Sequence, residues 1–527
     1  MVRHNNEIII ALINPVGIKS GRIFFLRIEI YTHEHLAKIL FDMKGCGMMR
    51  KEHDFLGEMD VPDEVYYGVQ TVRAMENFHI TGEEVDKEFI QAVVMVKKAA
   101  ALANMDTGRM KPEIGNALVA AADEILSGEL LDQFPVDPIQ GGAGTSVNMN
   151  VNEVLTNRAL ELTGHKKGEY QFISPNNHAN MAQSTNDVFP TAIKVCMRYK
   201  AKKLIEALKR LAVELDKKAV EFKDVVKMGR THLQDAIPIT VGQEMASYAS
   251  AVRRGIRRIQ RASASNLLVM NMGGTAIGTG LNAEPEYIER VRIRLSEVTG
   301  EEYHTAENLT DATNNTDLFA DMAAATKVTA LVLIKMANDF RLMASGPCCG
   351  LGELKLPMRQ PGSSIMPGKV NPVIAEVLDQ ACYQVIACDL AVTFGVENGQ
   401  FELNVMEPVI SYNMFLSMRC LTNAINTFVD NLLVNLEVDE KRCRELVEHS
   451  VGIITALMPH IGYENCSALA KEAYETGRPV RDLVLEHEYL TADQLDHILL
   501  PREMTTPGIA GAAYHEYRNS LAHLKKD

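Results

Sequence analysis

The amino-acid sequence predicts an all-α protein built around a bundle of very long helices. Three windows of the chain, 191–228, 301–345 and 409–451, contain neither glycine nor proline, the residues that most often end helices. Strand signals after residue 60 are weak. In the first window, leucines recur at steps of three and four residues, which places them on one face of a helix: Leu204, Leu208, Leu211 and Leu215. Because long helices bury such faces by packing lengthwise, we expect a bundle that also forms oligomers.

The windows also set the expected helix boundaries. One helix over 191–228 would span about 57 Å, at about 1.5 Å per residue. The third window is expected to break near Asp439, a plausible N-cap for a helix that begins at Lys441. A fourth stretch, 243–272, is interrupted only by Gly255.

Composition excludes several classes of protein. The chain has 527 residues, of which 46% are hydrophobic, so it is not a disordered chain. Acids outnumber bases by 68 to 54, which argues against a nucleic-acid partner. No uncharged apolar stretch reaches the length of a membrane helix, and the nine cysteines form no C-x-x-C pair. These features predict a reduced, cytoplasmic protein without a membrane or nucleic-acid partner.

The first 48 residues differ from the rest of the chain. Their apolar run, Ile8 to Ile13, is short and is followed by Asn14 and Pro15 without a small-residue cleavage site. We therefore expect residues 1–48 to be an N-terminal extension outside the conserved fold, either dispensable or the product of an upstream start codon. A targeting or docking segment is the alternative.

Two segments rich in small polar residues precede expected helices. In the first, residues 141–150, Thr145 follows a run of glycines and could cap a helix whose free N–H groups would bind an anion. In the second, Ser184, Thr185 and Asn186 precede a helix expected to begin at Pro190, and they could hold a carboxylate or an ammonium group. Taken alone, each segment is also compatible with an ordinary capped helix start.

Two further segments carry candidate catalytic groups. In residues 229–236, His232 lies beside Thr231, although a lone histidine is more often a structural residue. The strongest candidate is the loop 362–372, in which two glycines and two prolines prevent regular structure. A base candidate there lies beside a fixed positive charge and amide donors. These groups are Ser363, Ser364, Lys369 and Asn371.

The loop 362–372 resembles the signature of the fumarase/aspartase superfamily, G-S-S-x-M-P-x-K-x-N, and matches it completely. The resemblance extends from residue 49 to about residue 520. It implies three domains, at 49–187, 188–440 and 441–527, with the signature loop in the central one. It also implies a homotetramer with a twenty-helix core and active sites assembled from three subunits.

Members of this superfamily release fumarate from a succinyl skeleton and differ in the leaving group. The segments 141–148, 167–170 and 399–408 resemble the aspartase form rather than the fumarase form. The resemblance therefore implies elimination of ammonia from L-aspartate, with L-aspartate, fumarate and ammonium as small-molecule partners. A class II fumarase is the alternative, and a non-catalytic, crystallin-like scaffold is a remote one.

The resemblance also implies roles for the candidate residues. Ser363 would be the proton acceptor, and Ser364 would donate to the β-carboxylate of the substrate. Further contacts are expected from Thr145, Ser184 and Thr185. Thr231, Lys369 and Asn371 would hold the α-carboxylate, whereas Asn186 and His232 would contact the amino group. No metal-ligand spacing or nucleotide fingerprint accompanies these residues, so no cofactor or metal is expected.

Overall fold

The computed structural model describes residues 48–514, and they divide into two compact units after Ala182. The prediction about the N-terminal extension therefore falls, apart from Met48, outside the described residues. The structure is predominantly helical, which confirms the all-α prediction. Its strands are short and pair two by two.

The first unit packs four helices beside a small hairpin. The hairpin pairs β1 with β2 in antiparallel register, and a five-residue π-helical turn, Pro175–Ala179, follows the helices. The elements are β1 (Met49–Asp54), β2 (Gly57–Pro62), α1 (Val69–Asn77), α2 (Lys87–Asp106), α3 (Pro112–Leu126) and α4 (Thr145–Leu162). Helix α4 is buried along most of its length and contacts α1, α2 and α3, so it forms the centre of this unit.

The second unit contains the long helices. Its first part comprises α5 (Thr185–Glu221), β3 (Val226–Thr231), β4 (Gln234–Thr240), α6 (Val241–Asn266), β5 (Val269–Met270), α7 (Pro285–Thr299), β6 (His304–Thr305), α8 (Leu309–Asn314) and α9 (Asp317–Met343). It continues with β7 (Leu354–Lys355), α10 (Val373–Glu397), α11 (Glu407–Phe428), β8 (Glu437–Val438) and α12 (Glu440–His449). The last helices are α13 (Ile454–Ile461), α14 (Tyr463–Thr476), α15 (Val480–Glu486), α16 (Ala492–Ile498) and α17 (Pro501–Thr505).

Five of these helices form the predicted bundle. Helix α5 contacts α6 and α11, α6 contacts α9, and α10 lies against both α9 and α11. The leucine face predicted on α5 is fully buried, as Leu204 and Leu211 illustrate. Helices α6 and α9 approach closely at Gly255, where an added Cβ atom would lie 2.9 Å from Thr329. The glycine that interrupts the fourth predicted stretch is thus a packing residue within a continuous helix.

The predicted helix boundaries were partly wrong. The helix expected over 191–228 runs instead from Thr185 to Glu221, and the β3–β4 hairpin begins soon after it. The second window splits into α8 and α9, and the third passes through a π-helical turn, Val429–Leu433, before β8. Asp439 is the N-cap expected there, since its side chain accepts a hydrogen bond from the Arg442 N–H at 3.0 Å, although α12 begins at Glu440.

Within the described residues, α10 has the length and apolar composition that a membrane-crossing helix needs. It packs in the bundle, and two of its acidic side chains are paired with cations of α9. Asp379 accepts from Arg341 at 2.9 Å, and Asp389 lies 2.6 Å from Lys327 Nζ. We therefore assign α10 as a helix of the bundle.

Candidate active site

The first polar segment is a left-handed turn that leads into α4. Gly142, Ala143 and Gly144 have φ angles of 88°, 55° and 88°, and Gly144 is the N-cap of the helix. Thr145 is the first helical residue, and its hydroxyl donates to the Gly142 carbonyl at 2.7 Å. The prediction that Thr145 caps the helix is therefore wrong. The turn folds its hydroxyl back onto the preceding loop, and its side chain remains exposed at the positive end of α4.

The second polar segment caps α5. Ser184 and Asp187 form a capping box, in which Ser184 Oγ accepts the Asn186 N–H and Asp187 Oδ1 accepts the Ser184 N–H at 2.9 Å. The other Asp187 oxygen accepts the N–H groups of Gly273 and Thr275, each at 3.1 Å. Ser184 is thus a structural cap, as the plainer interpretation expected, and it stands beside Thr185 and Asn186 at a helix N-terminus.

The expected helix start at Pro190 is wrong because α5 accommodates this proline in its second turn. A proline has no N–H to donate to the carbonyl four residues earlier, which here belongs to Asn186. The Asn271 side-chain amide supplies that hydrogen bond instead, at 3.0 Å. The Asn186 side chain in turn donates to the Ala276 carbonyl at 2.7 Å. The start of α5 is therefore fixed by a loop far away in the sequence.

Thr231 and His232 lie at the tip of the β3–β4 hairpin, an element that the sequence analysis did not predict. His232 and Leu233 form the turn with φ angles of 54° and 62°. The register shifts between Met228 and Arg230, where an extra residue of β4 faces Gly229. Both candidate side chains, Thr231 and His232, are exposed at the tip.

In the signature loop, Ser363 is surrounded by backbone donors. Its Oγ accepts the N–H groups of Ile365 and Met366 at 3.2 and 3.1 Å. The loop closes where the Gly362 N–H donates to the Lys369 carbonyl at 2.7 Å, and the Asn371 side chain donates to the Gly362 carbonyl at 2.9 Å. Only glycine fits at position 362, since a Cβ atom there would lie 2.7 Å from the Lys369 oxygen. Ser364 and Lys369 are exposed on this closed loop.

The structure groups the candidates within each segment, and in the second unit two of these segments adjoin opposite ends of one long helix. Helix α5, 37 residues long, spans about 55 Å. Ser184, Thr185 and Asn186 stand at its N-terminus, whereas the hairpin of Thr231 and His232 begins shortly after its C-terminus. The 2.9 Å ion pair of Arg341 and Asp379 joins the end of α9 to the beginning of α10.

Comparison with known families identifies the fold. A family model described as "Lyase" matches residues 57–387, and a second model, "Fumarase C C-terminus", matches residues 453–506. The chain belongs to the fumarase/aspartase superfamily. The expected family is thereby confirmed.

Individual relatives align with most of this chain and with nearly the whole of their own length. An aspartate ammonia-lyase of Bacillus subtilis is 54% identical over 469 residues, which cover 89% of this chain and 98% of the relative. That of Escherichia coli K12 is 46% identical and covers 88% and 98%. Among solved structures, a fumarate lyase:delta crystallin from Brucella melitensis bound to cobalt is 44% identical, with a TM-score of 0.85 over 87% of this chain and all of that one. A class II fumarase from Schistosoma mansoni is 35% identical, with a TM-score of 0.83 over the same shares.

The superfamily signature did not reveal the residues that hold the site segments in place. Asp187 joins the start of α5 to the loop at Gly273, and Ser450 donates to Asp235 of the hairpin at 2.8 Å. Glu353 accepts from the hairpin residue Arg230 at 2.8 Å. Their partners lie between 86 and 215 residues away in the sequence, so no local pattern marks them. Between residues 48 and 514, no group of three His, Cys, Asp or Glu side chains is placed to hold a metal ion.

Proposed function

We propose that this chain is an aspartate ammonia-lyase, which eliminates ammonia from L-aspartate reversibly to give fumarate. Relatives with that name match it at 46–54% identity over almost their whole length, which favours the aspartase prediction over fumarase or a scaffold. The observation that carries the mechanism is the environment of Ser363, whose oxygen already accepts two backbone N–H groups in a closed loop.

The reaction needs a strong base and a site prepared for negative charge. The proton on C3 of aspartate is weakly acidic, and its removal places a second negative charge on the neighbouring β-carboxylate. Such an aci-carboxylate dianion forms readily only where donors already face its oxygens in a site closed to water. Hydroxyl and amide groups serve this purpose because their hydrogen bonds strengthen as the charge develops.

Ser363 is the base in this proposal and acts as an alkoxide. The N–H groups of Ile365 and Met366 stabilise that anion, and the ammonium group of Lys369, on the same loop, adds a favourable charge. Ser364 is exposed beside the base and donates to the β-carboxylate. The leaving amine is positively charged, so it departs as ammonia without requiring a general acid.

The remaining candidates bind the substrate. Thr231, Lys369 and Asn371 hold the α-carboxylate, and Asn186 and His232 contact the amino group. The Lys369 charge fixes the orientation of the carboxylate, which lowers the entropic part of the barrier. Two hydroxyls at the N-terminus of α5 and one at that of α4 complete the set, where helix dipoles favour an anion: Thr145, Ser184 and Thr185.

We also propose that the active enzyme is a homotetramer with sites shared between subunits. The length of α5 keeps Ser184 away from the hairpin of the same chain, so other copies must supply the missing groups. Helix α10 supports this assembly because it exposes large apolar side chains within the bundle surface. They are Val377, Tyr383, Leu390 and Phe394, each between 41% and 55% exposed.

We further propose a division into three domains and a cytoplasmic location. We divide the family fold into domains 49–187, 188–440 and 441–527. The last has an apolar core, in which Leu457, Leu469 and Leu483 are buried and to which Met228 of β3 also contributes. We place the enzyme in the cytoplasm, since the eight cysteines of the described residues are free thiols, as a reducing compartment favours.

One assay tests the proposed reaction. Fumarate absorbs in the ultraviolet, so its appearance is followed with L-aspartate in one cuvette and L-malate in another. We expect fumarate from aspartate and ammonium-dependent consumption of fumarate in reverse. Activity with malate alone would make the chain a fumarase, and no activity with either would favour the scaffold.

A mixing experiment tests the shared sites. Ser363→Ala and His232→Ala proteins, each measured alone first, are dissociated reversibly and reassembled together. Certain mixed tetramers then contain one site with both native residues, so some activity should return. No recovery in mixed tetramers confirmed by native mass spectrometry would mean that each site is built from a single chain.

A further inference from the structure

The turn that presents His232 has a backbone conformation that needs support. Two-residue hairpin turns with positive φ at both positions strongly favour Asn-Gly or related pairs. Here the positions are filled by His232 and Leu233, whose side chains make this conformation costly, and Leu233 is 72% exposed. Since the tip itself is exposed, the strands beneath it must hold the turn.

The strand beneath this turn is anchored by one buried carboxylate. Glu353 is fully buried and receives two cations of β3, one on each oxygen. Lys227 Nζ lies 3.1 Å from Oε2, and Arg230 Nη1 lies 2.8 Å from Oε1. Residues three apart in a flat strand point to opposite faces, yet both side chains reach Glu353, and the register of the hairpin shifts between them, opposite Gly229.

The backbone of Glu353 is itself held by two hydrogen bonds. Its N–H donates to the Met343 carbonyl at the end of α9 at 2.8 Å, and its carbonyl accepts the Asp439 N–H at 2.9 Å. Lys227 has a second acidic partner, Glu244 of α6, at 3.0 Å. The cluster therefore ties β3 to three separate elements and balances two positive charges against two negative ones.

We propose that Glu353 is a positioning residue for the amino-group side of the active site. It fixes Arg230, the residue that precedes Thr231 at the end of β3. His232 follows in the turn. This inference deepens the proposed function and rests on it, because Thr231 and His232 are substrate contacts only in that reaction.

Two matched variants test the role. Glu353→Gln keeps the size and one acceptor oxygen but removes the charge. Glu301→Gln is the control, since Glu301 likewise receives two cations, Arg198 at 3.1 Å and Lys202, on a partly buried carboxylate away from the hairpin. Both are assayed in the forward and reverse directions, and peptide hydrogen exchange is measured over residues 226–240.

Glu353→Gln should lower kcat/KM for aspartate by about 10-fold to 100-fold, since small misplacements of binding groups have effects of that size. In reverse, KM for ammonium should rise more than KM for fumarate, because the displaced hairpin carries His232, a contact of the amino group, whereas fumarate loses only Thr231 and keeps Lys369 and Asn371. Exchange should accelerate in the hairpin alone. Glu301→Gln should leave the ratio of the two KM values and the hairpin exchange unchanged.

Equal changes in both KM values, or unchanged exchange in the hairpin of Glu353→Gln, would overturn the inference. If Glu353→Gln does not assemble, Arg230→Gln replaces it, because it leaves the Lys227–Glu353 pair in place and should produce the same selective rise in KM for ammonium. A parent protein without activity on aspartate would refute the proposed function and the reaction role together. Hydrogen exchange of residues 226–240 would then show separately whether Glu353 anchors β3.

Discussion

Replacing Ser363 by alanine removes the proposed base and little else. The hydroxyl accepts two N–H groups in an exposed loop, and water can replace it as their acceptor. The loss of stability should therefore stay below about 1 kcal/mol. Tetramer assembly and aspartate binding should persist, because the loop is still closed by the Gly362 and Asn371 hydrogen bonds.

The catalytic loss should be far larger. Hydrogen bonds to a charged group are worth about 1.5–3 kcal/mol each, so the two N–H groups stabilise the Ser363 alkoxide by roughly 3–6 kcal/mol. The alanine variant has no alkoxide for these N–H groups to stabilise. The general-base contribution of about 10²–10⁴ in rate is lost as well. We expect kcat to fall at least about 1000-fold, or about 4 kcal/mol of barrier.

The assay measures fumarate formation at saturating aspartate. Aspartate binding is measured by calorimetry, and tetramer assembly by native mass spectrometry. Ser364→Ala serves as the comparator, because it removes the neighbouring hydroxyl, for which the proposed role is binding. Retention of more than about a tenth of kcat by Ser363→Ala, a barrier change under about 1.4 kcal/mol, would refute the assignment. Loss of turnover in Ser364→Ala alone would identify that serine as the base.

Three further variants test other parts of the structure. Lys369→Met should lower kcat and raise KM for aspartate; an effect on KM alone would limit Lys369 to binding. Lys194→Met should destabilise the protein in urea by about 1–3 kcal/mol, because it removes the buried Nζ donor that lies 2.9 Å from the Val269 carbonyl; unchanged stability in urea would show that this hydrogen bond contributes little. Gly229→Ala places a Cβ atom 2.6 Å from the Ile237 oxygen, so aspartate turnover should fall as the hairpin shifts; wild-type kinetics would show that the bulge tolerates a side chain.

The bundle could be predicted because its signal is local and repeated. Windows without glycine or proline and leucines at helical spacing reported the long helices correctly, as the buried Leu204 illustrates. The boundaries were less accurate. Pro190 fits inside α5 because the Asn271 side chain satisfies the carbonyl that proline leaves unpaired, a contact that sequence spacing does not reveal.

The hairpin escaped prediction for two physical reasons. Its turn, His232-Leu233, lacks the glycine or asparagine that usually marks such turns. The extra residue opposite Gly229 also disrupts the two-residue alternation by which a strand is recognised. Sequence spacing also does not reveal that Arg230, beneath this turn, pairs with a buried carboxylate more than a hundred residues away, Glu353.

The candidate residues were found by their motifs, but how they meet depends on the length of one helix. Each polar segment is well formed in the single chain: Ser184 caps α5, His232 occupies a held turn, and Ser363 lies in a closed loop. The roughly 55 Å of α5 nevertheless keeps the first segment away from the second. A long bundle helix therefore has proposed binding groups near both ends, and lengthwise packing of several copies would bring unlike ends together. Under that arrangement the exposed apolar side chains of α10 serve catalysis indirectly, since the association that buries them also completes the sites.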